Sequence, residues 1–347
     1  MRWRPETVVV LLAAAAALAQ PPPRPIGEIE FFGHRGLDVE SVRAALPIRE
    51  GDTFPSADAP PDELKGRIGE SVRRVLARSP TDVSFTCCDD HERWMVYLGL
   101  PGESYRAVRY HAPPTGSDRL PPELVTLDDE TEEATQAAIM RGDATEDDSQ
   151  GFALGHDPAL RAKQLALREY ALRHEALLLG VLARSSDARH RAIAARALGY
   201  ARRSERQIAA LVSASLDADD GVRNDAVRAL AVLAGADPKA AKWIPPSSFV
   251  SLLASGLWSD HNKGAFLLES LSRGRDPQLL ALLRAEALPN LVEMARWRSA
   301  GHAAPARLIL GRIAGIEESR LTRLVGEGRV DEIVAALGAE PRVRPDR

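Results

Sequence analysis

At 347 residues the chain is long enough for two or three domains. An apolar fraction of 45% with only 5% aromatic side chains favours helical packing over a large sheet. A formal net charge of −4 excludes a general nucleic-acid binder, which needs a basic footprint.

The chain starts with Arg2 and Arg4, an apolar run from Val8 to Leu18, and Ala17-Leu18-Ala19. This is the charged, apolar and small-residue order of a secretory signal over residues 1–19, with Gln20 as the first mature residue. The apolar run is about a dozen residues, short of the roughly 20 that a spanning helix needs. No Cys stands at the cleavage point, which excludes a lipoprotein pattern, and no later run reaches membrane length. The expectation is an exported protein, periplasmic or secreted, without a stable membrane span. The only cysteines, Cys87 and Cys88, are adjacent. They are no disulfide framework, and on a strand they would point to opposite faces. A vicinal bridge in a turn is one reading; two free thiols is the expected one.

Residues 25–113 read as a first, α+β domain behind a Pro-rich leader, Gln20–Pro25. Ile26, Ile29 and Phe31 mark a strand and Gly33-His34-Arg35-Gly36 a turn. Asp38 or Ser41 starts a helix through Val42, Ala45 and Leu46. Leu64, Ile68, Val72 and Val75 recur at three and four, predicting a helix from Pro61 to Ala77. Val83, Phe85 and Cys87 alternate, as do Trp94, Val96 and Leu98, around a polar turn; this is a hairpin. The order strand, helix, helix, strand, strand resembles a POTRA domain, the polypeptide-transport-associated module. The residues that carry the resemblance are the first strand with Gly33-His34-Arg35, the helix before Ile48, and the Gly51-Asp52-Thr53-Phe54 corner. It covers about Ile26 to Leu100. The resemblance implies a small mixed sheet with an exposed edge that can add a partner strand. No tandem copy, membrane barrel or transmembrane helix follows, so transport through a barrel is not implied. Tyr105–Tyr110 (YRAVRY) could supply one more strand and cover that edge.

Residues 114–156 form an acidic connector. Glu123, Asp128, Asp129, Glu130, Glu132, Glu133, Asp143, Glu146, Asp147 and Asp148 face one base, Arg141. Leu124, Leu127, Ala134 and Ala138 give a weak helical face, and Gly142 a stop. GDATEDDSQG lacks the ligand spacing of a calcium loop. The expectation is a solvated acidic face, with Asp147-Asp148-Ser149 able to cap the next helix.

Residues 157–337 read as helix pairs, with 338–347 as a disordered tail. Asp157-Pro158 starts a helix. A pattern is then written twice with a period in the thirties: Asp187, Arg191, Ala194 and Leu198 match Asp219, Arg223, Ala226 and Leu230. Asp260 is aligned with Asp219, Phe249, Leu253 and Leu257 fill the helix before it, and His302 replaces the Asp in a fourth pair. Pro277, Pro289 and Pro305 are placed at helix starts, and Glu317–Leu337 forms a terminal pair. DARHRAIAARALG and DDGVRNDAVRALA resemble HEAT-like repeats, in particular the bacterial group named after phycobilisome lyases. No residue matches a chemical motif of pigment attachment. The predicted fold class is therefore an α+β N-terminal module followed by an all-α solenoid of HEAT-like helix pairs. In the repeats, Asp187 and Asp219 serve as caps and Arg191 and Arg223 as bridges to neighbouring units, all four as scaffold. An anion groove of Arg184, Arg189, Arg196, Arg202 and Arg203 is the alternative.

No Gly-rich phosphate loop or GxSxG elbow is present, and His174-Glu175 lacks the second His of a zinc-protease helix. Cys87, Cys88, Asp89, Asp90 and His91 are bunched, unlike the separated pairs of structural zinc sites. The unusual residues lie late: Trp258, Asp260, His261, Lys263, Glu293, Arg296 and Trp297, with His302 close behind. Aromatic and Arg anchors of this kind suit a partner-binding rim. The expected function is an interaction scaffold without a cofactor, binding another envelope protein or peptide. The alternative is a periplasmic enzyme or metal-binding protein using Asp260, His261, Glu293 and His302 as acids and bases, or Cys87 and Cys88.

Overall fold

A computed structural model describes residues 24–53, 62–89, 91–143 and 145–338. The expected signal segment, the leader up to Pro23, the corner residue Phe54, Pro61, Asp90 and the tail from residue 339 lie outside the described residues. The N-terminal part comprises β1 (Ile26–Phe32), α1 (Val39–Ala45), α2 (Asp62–Leu76), β2 (Asp82–Thr86) and β3 (Trp94–Gly99). The sheet order is β1-β3-β2, with β1 parallel and β2 antiparallel to the central strand. All six β3 residues, WMVYLG, are buried. Trp94, Val96 and Leu98 pack with Ile29 and Phe31 against Val42 of α1 and Ile68 and Val72 of α2. Met95 and Tyr97, with Phe32 of β1, point the other way and belong to the core of the helices that follow. Covering on both faces explains why β3 is apolar throughout rather than alternating. Gly33, at φ +69°, turns the chain out of β1; a Cβ there would lie 2.6 Å from the Leu100 carbonyl oxygen. Only glycine fits both constraints.

Tyr105–Tyr110 does not supply the further strand that its pattern allowed. The segment runs extended over the helix turns. Arg106 N–H donates to the Ala254 carbonyl (2.7 Å), His111 N–H to Leu216 (2.7 Å) and Gly116 N–H to Arg184 (2.8 Å). These acceptors lie at the ends of helical segments, where carbonyls lack intrahelical partners. That supply of acceptors draws the segment away from the sheet edge.

Next come α3 (Pro122–Met140) and a small hairpin, β4 (Glu146–Asp147) and β5 (Leu154–Gly155). The remaining helices are α4 (Pro158–Arg184), α5 (Ala188–Leu198), α6 (Glu205–Ala214), α7 (Asp220–Ala236), α8 (Pro238–Ala241) and α9 (Ser247–Val250). A 3-10 turn, Ser251–Ala254, leads to α10 (Trp258–Ser272), α11 (Pro277–Glu286), α12 (Leu288–Ala295), α13 (Ala300–Ile313), α14 (Glu318–Gly326) and α15 (Val330–Ala336). α5, α7, α10 and α13 pack side by side in that order. Among the described residues no helix is long and apolar enough to cross a membrane.

Asp157, Asp187, Asp219 and Asp276 each accept from a first-turn N–H and so start α4, α5, α7 and α11. Asp147 lies in β4 instead, so the expected cap at Asp147–Ser149 is not formed. The repeat register also differs downstream. α10 begins after Leu257, with no side-chain cap, so Asp260 lies inside its first turn. His261 then stands four residues after the cap, the place of Arg191 and Arg223. It keeps one job of those arginines: each satisfies the carbonyl six residues before it, Ser185 for Arg191, Asp217 for Arg223 and Ser255 for His261. Pro305 and His302 lie within α13, which starts after Ser299, rather than at a helix boundary.

Candidate functional site: the junction of sheet and helices

The late residues come together where the sheet meets α10, α12 and α13. Tyr97, from the second face of β3, stacks on Trp258 with ring centroids 5.1 Å apart. It meets Trp297 (5.0 Å) and His302 (5.5 Å) edge-on, and its hydroxyl lies 2.6 Å from His302 Nδ1. The Trp297 indole N–H donates to the Phe31 carbonyl at 3.0 Å. Glu293, buried on α12, accepts from the Gly33 N–H (2.7 Å), the His34 N–H (3.4 Å) and the Ser104 hydroxyl (2.6 Å). Asp82 at the start of β2 accepts from the Trp258 N–H at 2.9 Å. Arg298 reaches across to Glu30 (2.8 Å) and Glu50 (3.0 Å). Aromatic faces, the buried charge-assisted bonds of Glu293 and the more exposed ones of Arg298 thus fasten the two parts to each other.

Of the seven nominated residues, Trp258, Asp260, His261, Glu293 and Trp297 are engaged within the chain at or beneath this junction. Arg296 is exposed, and Lys263 faces a cleft on the side of α10. The four nominated acids and bases do not converge. Asp260 pairs with Arg223 (2.9 Å) and accepts from Tyr110 (2.6 Å); Glu293 holds backbone; His302 holds Tyr97; His261 bonds the Ser255 carbonyl (2.8 Å). Sequence reasoning missed Tyr97, Phe32 and Tyr110. The unbroken apolar run of β3 is the signal that could have found Tyr97.

The His261 ring lies against Phe32, centroids 4.6 Å apart, and is fully buried with Nδ1 unpartnered. Burial pushes its pKa down from 6.5 to about 4, against the pull of the Ser255 carbonyl and Asp260. The unfolded chain therefore takes up the proton first. The stability from a neutral His261 is complete above about pH 6.5 and is lost as the pH falls toward about 4, a contribution of about 3 kcal/mol. His261→Gln keeps a donor for Ser255 and cannot titrate in this range. Urea denaturation at pH 7 and pH 4.5 is expected to show a smaller stability loss in this variant than in the parent; an equal loss would place the protonation elsewhere.

In the repeats, Asp187 and Asp219 cap α5 and α7, and Arg191 and Arg223 are buried. Arg191 pairs with Asp217 at 2.7 Å in the next unit, as Arg223 does with Asp260. The arginine row meets the connector. Arg184 pairs with Asp118 (2.6 Å), Arg189 with Asp129 (2.5 Å), and Arg196 with Asp128 (3.0 Å), Glu132 (2.5 Å) and Asp225 (3.1 Å). Arg203 pairs with Asp237, and Arg202 is exposed. The connector is thus not simply a solvated acidic face: part of it lies along α5, where the guanidinium groups compensate its charge. Three carboxylates share Arg196, so burial and its acidic neighbours push Asp128 up to about 6.

Cys87 and Cys88 are joined to each other as a vicinal disulfide rather than carrying two free thiols. Among the described residues no group of three or more His, Cys, Asp or Glu is placed to hold a metal ion. No protein-family model matches the chain, and a search of curated proteins finds no significant relative.

Proposed function

We propose that this protein is an exported interaction scaffold, with a POTRA-like module fixed to a HEAT-like solenoid and a partner from the cell envelope. The reading rests on a groove of about 870 Å³ between the α7–α8 end and α10–α11. Its floor carries Ile244, Leu271, Leu279 and Leu282, and Lys242 and Arg273 stand at its edges. Trp243, exposed beside it, is a large apolar surface next to basic side chains, the composition of an interaction anchor. With the sheet's second face covered by the helices, binding falls to the outer surfaces, and β2 is an outer strand of its sheet.

A photo-crosslinker at position 243 in living cells is expected to give one discrete adduct with another envelope protein, and one at Arg67 on exposed α2 none. Leu282→Glu should remove the adduct while leaving helicity and the thermal midpoint unchanged. No adduct at 243, or one that survives Leu282→Glu, would reject this groove.

A further inference from the structure

A second cleft, of about 420 Å³, opens between α7, α10 and α13, with the β4–β5 hairpin at one end. Its volume is that of a small-molecule site. One wall is apolar: Phe266, Pro305, Leu308 and Val232, with Phe266 exposed to the opening. The other wall is charged, and almost every charge is matched. Arg228 of α7 is held by Glu146 of the hairpin, and Arg273, just after α10, by Glu269 at 2.9 Å. Glu269 is bound as well by Arg312 of α13 at 3.0 Å. Lys263 is the exception among the cations. Its ammonium has no hydrogen bond or ion pair to any described residue, although the side chain is half-buried. What remains after pairing is one cation inside the cleft and one exposed carboxylate, Asp148, at its mouth.

We infer that this cleft binds a small apolar monocarboxylate, its carboxylate on Lys263 and its hydrocarbon on Phe266, Pro305 and Leu308. A carboxylate supplies the acceptor that the ammonium lacks. The hydrocarbon covers side chains that otherwise face water. Without a ligand the amine is poorly solvated: burial first, then Arg228, push its pKa down to about 8, with Asp225 and Glu146 opposing. His302, on α13, feels the same positive charge and is lowered to about 4 by burial and by Lys263, so it is neutral where the lysine titrates. Anion binding therefore depends on a proton that Lys263 gives up in the mildly alkaline range.

The test is calorimetric titration of the full chain with decanoate, and with decan-1-ol as the uncharged control. At about pH 7, decanoate is expected to bind one site at least about tenfold more tightly than the alcohol. Lys263→Met should weaken decanoate by about tenfold or more, while Lys263→Arg keeps most of the affinity. Raising the pH to about 9.5 should weaken the parent and spare Lys263→Arg, because only the lysine loses its charge there. Equal binding of acid and alcohol, or a decanoate affinity that ignores both the Met substitution and the pH, would overturn the assignment. The pH comparison needs no Met variant, so a misfolded Lys263→Met does not shelter it. None of these readings uses the partner groove beside Trp243.

Discussion

Trp297→Ala is expected to lower the stability of the whole chain by about 3 to 5 kcal/mol, as other buried tryptophan truncations do. Trp297 is only 1% exposed, and its ring meets Tyr97 at the point where sheet and helices share a core. Truncation opens a cavity there and also removes the donor to the Phe31 carbonyl. Trp297→Phe keeps most of the packing and loses the hydrogen bond, so its cost should be about 1 to 2 kcal/mol. Urea denaturation followed by circular dichroism separates the two. A cost for Trp297→Ala below that of Trp297→Phe would mean that the indole is not packed as described.

Arg223→Met should be as damaging, at about 3 to 5 kcal/mol, for a different reason. Arg223 is 1% exposed. It bonds Asp260, the carbonyls of Asp217 (2.8 Å) and Ala218 (3.1 Å), and lies over the Tyr110 ring at 3.9 Å. Methionine fills most of the space but leaves the Asp260 carboxylate buried beside a single Tyr110 donor. Neutralising that carboxylate should recover part of the loss, so Arg223→Met with Asp260→Asn is expected to be more stable than Arg223→Met alone. A double variant as unstable as the sum of the single ones would show that the two side chains act independently.

The α+β start and the helical region after it were legible in the sequence, because both rest on local patterns. Val83 and Phe85 alternate against Trp94, Val96 and Leu98, and Asp157, Asp187 and Asp219 stand where helices begin. Tyr105–Tyr110 misled because strand propensity says nothing about which acceptors an extended segment meets, and here they are helix-end carbonyls. Asp260 misled because its spacing to Leu271 matches that of Asp219 to Leu230, while the cap itself is Leu257. The junction was visible only as a group of unusual residues. Their partners lie far off in the chain, Tyr97 being 205 positions from His302 and Gly33 being 260 from Glu293. No period or motif encodes such pairs. The acidic connector was legible as charge, but not as the counter-charge of an arginine row on another helix.

Sheet and helices should open as one cooperative unit, held by the Tyr97, Trp258, Trp297 and Glu293 contacts. Native-state hydrogen exchange resolved by mass spectrometry measures this cooperativity segment by segment. Peptides covering β3 and α13 should open with the same free energy in the parent protein, and Trp297→Ala should lower both together. A sheet that exchanges at a much lower free energy than α10 and α13 in the parent would show that the junction contacts do not couple the two parts.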